Sequence, residues 1–180
     1  MSERIYPLMN NYNDGASMSH ISRYLLARGF ISNGERVADV ACGNGYGTSL
    51  LAQRVYYVYA FDKDDVFDPQ YKTYKTEFKQ CKIEDLPDCP VDTVVSLETI
   101  EHLADPKVLL NWVDKNAKRK FIVSSPNIPS TDQNAHHLSN VEFKTLQKLM
   151  ENYPDWILYQ VFYQDVYYIA VFVRKDAKLI

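Results

Sequence analysis

Apolar residues along the chain alternate between helical spacing and short runs of branched and aromatic side chains. Met18, Ile21, Tyr24 and Leu25 recur at helical spacing, and Gly29 with the turn Ser32-Asn33-Gly34 stops that helix. Arg36 to Ala41 reads as a strand, glycines then open a loop, and Thr48 to Arg54 reads as a helix. Val55 to Phe61, Lys75 to Cys81 and Val91 to Leu97 supply three more strands. Asp105-Pro106 starts a helix that buries Leu109, Leu110, Trp112 and Val113, and Phe121 to Ser124 is the fifth strand. Ser139 and Glu142 have the spacing of a capping box before a helix carrying Phe143, Leu146, Leu149 and Met150, which Pro154 closes.

Trp156 to Phe162 and Val166 to Val173 are separated by three residues, too few for a parallel crossover and enough for a hairpin. Alternating strands and helices predict an α/β fold with a seven-stranded, mostly parallel sheet and a C-terminal antiparallel hairpin. Lys63–Tyr74 and Lys82–Pro90 leave little room for full helices, so the helices around the third strand are reduced.

The 180 residues, 46% of them hydrophobic, suit one domain over 1–180. The turn-rich, aromatic stretch 1–16 is expected as a lid or mobile N-terminal segment. No run has the length of a membrane span and the start lacks the apolar core of a signal peptide, so a cytoplasmic protein is expected. Cys42, Cys81 and Cys89 have no paired spacing, which predicts reduced thiols and no zinc ribbon, and because the adjacent His136 and His137 rarely share a ligand face and have no third ligand at a fixed spacing, no structural metal is expected. The net charge of −3 gives no general attraction for phosphates. Two lysine groups, Lys72 to Lys82 and Lys115 to Lys120, are the candidate basic patches, and such runs are more often solvated faces.

The chemistry centres on Val37-Ala38-Asp39-Val40-Ala41-Cys42-Gly43-Asn44-Gly45-Tyr46-Gly47-Thr48, which leaves a strand and opens a helix. Glycines in such a turn let backbone approach a nucleotide-like ligand. The spacing is GxGxG, whereas dinucleotide sites carry GxGxxG, so a ligand without pyrophosphate is favoured over a nicotinamide cofactor. Asp62 ends the next strand, where a carboxylate can accept from ribose hydroxyls. Ile83-Glu84-Asp85-Leu86-Pro87 and Ser96-Leu97-Glu98-Thr99-Ile100-Glu101-His102-Leu103 follow at two further strand ends.

Together with His20-x-x-Arg23-Tyr24 and Ser125-Pro126-Asn127, these segments resemble the class I S-adenosylmethionine-dependent methyltransferases, in particular the small-molecule and glycan-directed branch. The resemblance covers nearly the whole chain and implies a Rossmann-like fold with S-adenosyl-L-methionine as cofactor. It implies that Asp39, Ala41, Cys42, Gly43 and Gly45 line the methionine half, with Arg23 at its carboxylate and Asp62 at the ribose. It puts Ile83, Glu84 and Lys63 around the adenine and counts Leu97 among the cofactor-binding residues. Lys82 stands where many relatives carry an acid.

Methyl transfer from a sulfonium is a direct displacement, so positioning is the main task. An oxygen nucleophile also needs a base, for which His102, Glu98, His136 and His137 are the candidates. Glu98 and His102 share a face if their stretch is helical. The bland alternative leaves His102 packed in a turn and the acids solvated. The expected activity is methyl transfer to an oxygen or nitrogen of a small-molecule, sugar or lipid-linked acceptor. A nucleic-acid methyltransferase is the alternative, weakened because Ser96-Leu97-Glu98-Thr99 stands where base-directed enzymes carry Asn or Asp before Pro-Pro. A non-catalytic cofactor-binding partner subunit and a homo-oligomer stay open, the 156–173 hairpin being the candidate interface.

Overall fold

The computed structural model describes residues 15–131 and 134–177. The segment expected as a lid lies outside them except for its last two residues, which begin α1. In chain order the elements are α1 (Gly15–Gly29), β1 (Arg36–Val40), α2 (Tyr46–Ala52), β2 (Tyr57–Asp62), β3 (Thr76–Gln80) and β4 (Val91–Leu97). They continue with α3 (Lys107–Asn116), β5 (Ala117–Pro126), α4 (Phe143–Met150), β6 (Trp156–Gln164) and β7 (Tyr167–Arg174). Single 3-10 turns at Pro69–Tyr71, Ile83–Asp85 and Ile100–His102 replace helices where the connections are short.

The seven strands form one sheet in the order β3-β2-β1-β4-β5-β7-β6. The first five run parallel and β7 is antiparallel to both β5 and β6, as the hairpin spacing predicts. Alternation along each strand divides the core between the two faces. Val37 and Val95 pack with Ala27, Ile31 and Leu51 on the α1–α2 face. Ala38, Val40 and Val94 pack with Leu109, Val113 and Leu146 on the α3–α4 face.

Three local readings change. In α1 the buried side chains are Arg23, Tyr24 and Ala27, whereas Met18 and Leu25 are exposed, because the sheet takes the face that carries the tyrosine. Helix α2 starts at Tyr46, two residues before the expected Thr48. The capping box at α4 does not form: Glu142 occupies the cap position without a side-chain bond, and the Phe143 amide donates to Asn127 Oδ1 at 3.0 Å. The Ser139 amide instead donates to Glu101 O at 3.0 Å, so a loop contact outcompetes the local cap. At α3, Asp105 Oδ1 accepts from the Lys107 amide at 3.0 Å, as expected of a capping acid.

Candidate functional site

The C-terminal ends of β1, β2 and β4 open into a cavity of about 770 Å3. Strand order reverses between β1 and β4, the place where α/β sheets leave a crevice for a ligand. Every sequence-predicted site residue lines this cavity except Asp39 and Gly45.

One wall is the loop after β1. Ala41, Gly43 and Gly45 have φ of 63, 57 and 89°, a left-handed series that turns the chain sharply between strand and helix. A Cβ on Gly43 would meet no atom within 4 Å, so the space before it is free for a ligand. At Gly45 the close approach is internal, since a Cβ would come within 2.4 Å of the Phe67 ring. Asp62 locks this loop to β2: its Oδ2 accepts from the Gly43 amide at 2.8 Å and its Oδ1 from the Asp64 amide at 3.0 Å.

Asp39 stands behind the wall. It is fully buried and accepts from Thr48 Oγ1 at 2.6 Å and from the Tyr24 hydroxyl at 3.2 Å, tying α2 and α1 to β1. Burial raises its carboxyl to about 7, against the opposing pull of those two hydroxyls. Cys42 is buried too, and burial pushes its thiol well above the ordinary range, which makes it a packing residue rather than a nucleophile.

Arg23 lies under the mouth of the cavity, 3% exposed, with its guanidinium 4.4 Å from the centre of the Tyr167 ring. Its Nη1 donates to Gln164 Oε1 at 3.2 Å and its Nε lies 3.7 Å from Glu98 Oε1. That Nε makes no hydrogen bond among the described residues although it is buried, which fits the site to an anionic ligand group. His20 donates or accepts against the Tyr46 hydroxyl, and burial with the Arg23 charge lowers its pKa to about 3, so its ring is neutral at physiological pH. At the far end Ile83, Leu86, Phe61 and Leu103 give the cavity an apolar wall, with Lys63 and Glu84 exposed at its rim.

The residues after β4 and β5 close the remaining side. Glu98 has φ of 53°, unusual for a residue with a side chain, and accepts from Ser124 Oγ at 2.5 Å. The helix that would put Glu98 and His102 on one face does not form, because the left-handed turn at Glu98 delays helical structure to Ile100–His102. Glu98 therefore faces Arg23 and Ser124, while His102 turns to the loop after β5. His102 Nδ1 lies 2.9 Å from His136 O, and its ring meets that of His137 edge to face at 4.8 Å. His136 itself is exposed. Ligand atoms of Glu101, His102 and His137 lie within 4.8 Å of one another. The sequence argument against a metal weighed His136 beside His137, but the fold pairs His137 with His102 and a buried Glu101 instead. Tyr46, Tyr167 and Gln164 join the site from α2 and the hairpin, and no motif marks them.

Of the two lysine groups, Lys72, Lys79, Lys82 and Lys118 are exposed, while three members are engaged by neighbours. Lys75 donates to Val55 O at 3.0 Å, Lys115 pairs with Asp88 at 2.6 Å, and Lys120 is buried against Glu35 at 2.5 Å. No helix among the described residues is long and apolar enough to cross a membrane. All three cysteines are free thiols.

A parallel sheet with this strand order, a glycine turn after β1 and an antiparallel final hairpin define a Rossmann-like methyltransferase fold. The family model described as a methyltransferase domain matches residues 38–120. A protein of Mycolicibacterium smegmatis described as a probable S-adenosylmethionine-dependent methyltransferase is 28% identical over 130 residues, 66% of this chain and 51% of that protein. The chain thus spans about half the length of that curated relative. Among solved structures, magnesium protoporphyrin IX methyltransferase of Synechocystis with bound S-adenosylhomocysteine superimposes with a TM-score of 0.77 at 16% identity, over 95% of this chain and 90% of that one. N-methyltransferase NodS of Bradyrhizobium japonicum does so with a TM-score of 0.75 at 12% identity, over 93% and 92%. In fold, motif order and the domain match the chain is similar to the class I S-adenosylmethionine-dependent methyltransferases.

Proposed function

We propose that the cavity binds S-adenosyl-L-methionine and that the chain transfers its methyl group to an oxygen or nitrogen of a small-molecule, sugar or lipid-linked acceptor in the cytoplasm. The observation that carries this reading is the left-handed backbone at Ala41 and Gly43, which faces a cavity holding Asp62 on one side and the unsatisfied Nε of Arg23 on the other. Bound there, the cofactor supplies an electrophilic methyl on a sulfonium. The residues of the chain supply the rest. Arg23 pairs with the cofactor carboxylate, Asp62 accepts from the ribose hydroxyls, and Ile83 with Lys63 flanks the adenine. Leu97 and the backbone of Ala41 and Cys42 exclude water around the methionine part. Glu98, held by Ser124 and Arg23, fixes the orientation of that guanidinium. His102 and His137 lie on the acceptor side, where a neutral imidazole takes a proton from a hydroxyl acceptor.

A small acceptor suits a cavity of this size, and the net charge of −3 gives no general attraction for phosphates. The partner-subunit reading has one observation in its favour: edge strand β6 exposes Ile157, Leu158, Tyr159 and Tyr163. Incubation with methyl-labelled cofactor and fractionated cell extract separates the readings. Label in small molecules or glycans is the expected outcome. Label in nucleic acid moves the acceptor to the alternative class, and cofactor binding without any transfer favours the subunit.

A further inference from the structure

We propose that Glu101, His102 and His137 form a binding site for one divalent transition-metal ion on the acceptor side of the cavity. One ligand atom from each lies within 4.8 Å of the other two. Metal–nitrogen and metal–oxygen bonds of roughly 2.0–2.2 Å put ligand atoms about 3 Å apart, so an ion draws the three together by an ångström or two. Glu101 is 1% exposed, and His102 and His137 are half-buried and line the cavity, which leaves the remaining coordination positions for water or an acceptor.

The backbone assembles this set from two distant segments. The amides of Leu138 and Ser139 both donate to Glu101 O, at 2.8 and 3.0 Å, and so pin the loop after β5 against the 3-10 turn after β4. That contact carries His137 to His102. Their rings are also oriented by the partners that metal-bound histidines use. His136 O can only accept, so the 2.9 Å contact with His102 Nδ1 requires a proton there and leaves the lone pair on Nε2. His137 Nδ1 lies 2.7 Å from Ser130 Oγ, and its Nε2 lies 3.1 Å from Asn134 Nδ2, an amide that an ion at Nε2 would displace. Two imidazoles and one carboxylate without thiolate select borderline ions such as Zn(II), Fe(II), Co(II) or Ni(II) over Mg(II) or Ca(II). An ion at this place supplies Lewis acidity to a hydroxyl on the acceptor. That consequence, and with it a preference for oxygen over amine acceptors, rests on the methyl-transfer reading; the ion site does not.

The test uses the full chain, stripped with chelator and titrated with Co(II) by visible absorption, with Zn(II) as competitor. One equivalent is expected, with d–d bands of low coordination number that Zn(II) abolishes. His102→Ala and His137→Ala should each weaken binding at least tenfold with an unchanged circular dichroism spectrum, and Glu101→Gln should do the same if it folds. Absence of stoichiometric binding, or binding unchanged in both histidine variants, overturns the site. Parallel titration with S-adenosylmethionine separates the two claims. Cofactor binding without Co(II) binding sinks the metal site alone, and Co(II) binding without cofactor binding sinks the functional reading alone.

Discussion

Three glycines within five residues should respond differently to the same substitution, alanine, because the fold uses each for a different reason. Gly43 has φ of 57° and open space where its Cβ would lie. Alanine there costs roughly 1–2 kcal/mol of left-handed strain, a Tm fall of about 2–8 °C for a chain of this size. Its methyl projects into the space that the proposed cofactor needs, so affinity for S-adenosylmethionine should fall at least tenfold. Gly47 has no such backbone demand, but its Cβ would lie 2.2 Å from Tyr24 Cζ. Tyr24 is buried and donates to Asp39, so it has no cheap way to move. Overpacking of about 1–3 kcal/mol is expected, offset by up to about 1 kcal/mol of helix propensity. Gly45 combines a φ of 89° with a 2.4 Å contact to the Phe67 ring and should be the least stable of the three variants. Thermal unfolding and calorimetric titration on the same preparations read both effects. The reasoning is refuted if Gly43→Ala binds the cofactor as the wild type does, or if Gly47→Ala unfolds at the wild-type temperature.

Asp39 is raised from an ordinary value of 3.8 to about 7, chiefly by burial. Since its folded pKa lies above its unfolded one, its contribution to stability is full below pH 4 and is lost as pH rises towards 7, by roughly 1.4 kcal/mol per unit and on the order of 4 kcal/mol in all. His20, lowered to about 3, slopes the other way between pH 3 and 6.5. Comparison of wild type with Asp39→Asn in urea at pH 5 and 8 isolates the first effect, and equal pH dependence in the two proteins would contradict it. Lys120→Met strips a buried partner from Glu35, which also accepts from Thr93 Oγ1 at 2.6 Å. We expect a loss of about 3–5 kcal/mol in denaturant unfolding, and a loss below 1 kcal/mol would show the pair to be dispensable. Asn127→Ala removes the acceptor of the Phe143 amide and should cost about 1 kcal/mol, read as a lower urea midpoint, whereas Ser139→Ala should leave α4 capped.

Much of this was legible in the sequence because it depends on local pattern. Strand alternation located all seven strands, and the three-residue gap before Val166 identified the hairpin that turns β7 antiparallel. Most cavity residues could be found because they sit at or beyond the end of a parallel strand, whereas Arg23, on α1, came from the resemblance alone. What local pattern missed was decided by long-range contacts. Ser139 had the right spacing for a cap, but Glu101 O claims its amide and Asn127 reaches α4 across 16 residues. Glu98 and His102 had helical spacing, but the backbone turns left-handed at Glu98. Lys120 read as one of a basic run and is buried against a carboxylate 85 residues away. No spacing rule could join His137 to Glu101 and His102, because a loop contact does so.

The central claim is that the cavity at the ends of β1, β2 and β4 holds S-adenosylmethionine. Calorimetric titration of the purified chain, with NAD as the control ligand, tests it most directly. One molecule of S-adenosylmethionine per chain, with no heat from NAD and binding weakened by Arg23→Gln, is the predicted result. A folded chain that binds neither ligand, or that binds NAD as well as S-adenosylmethionine, would contradict it.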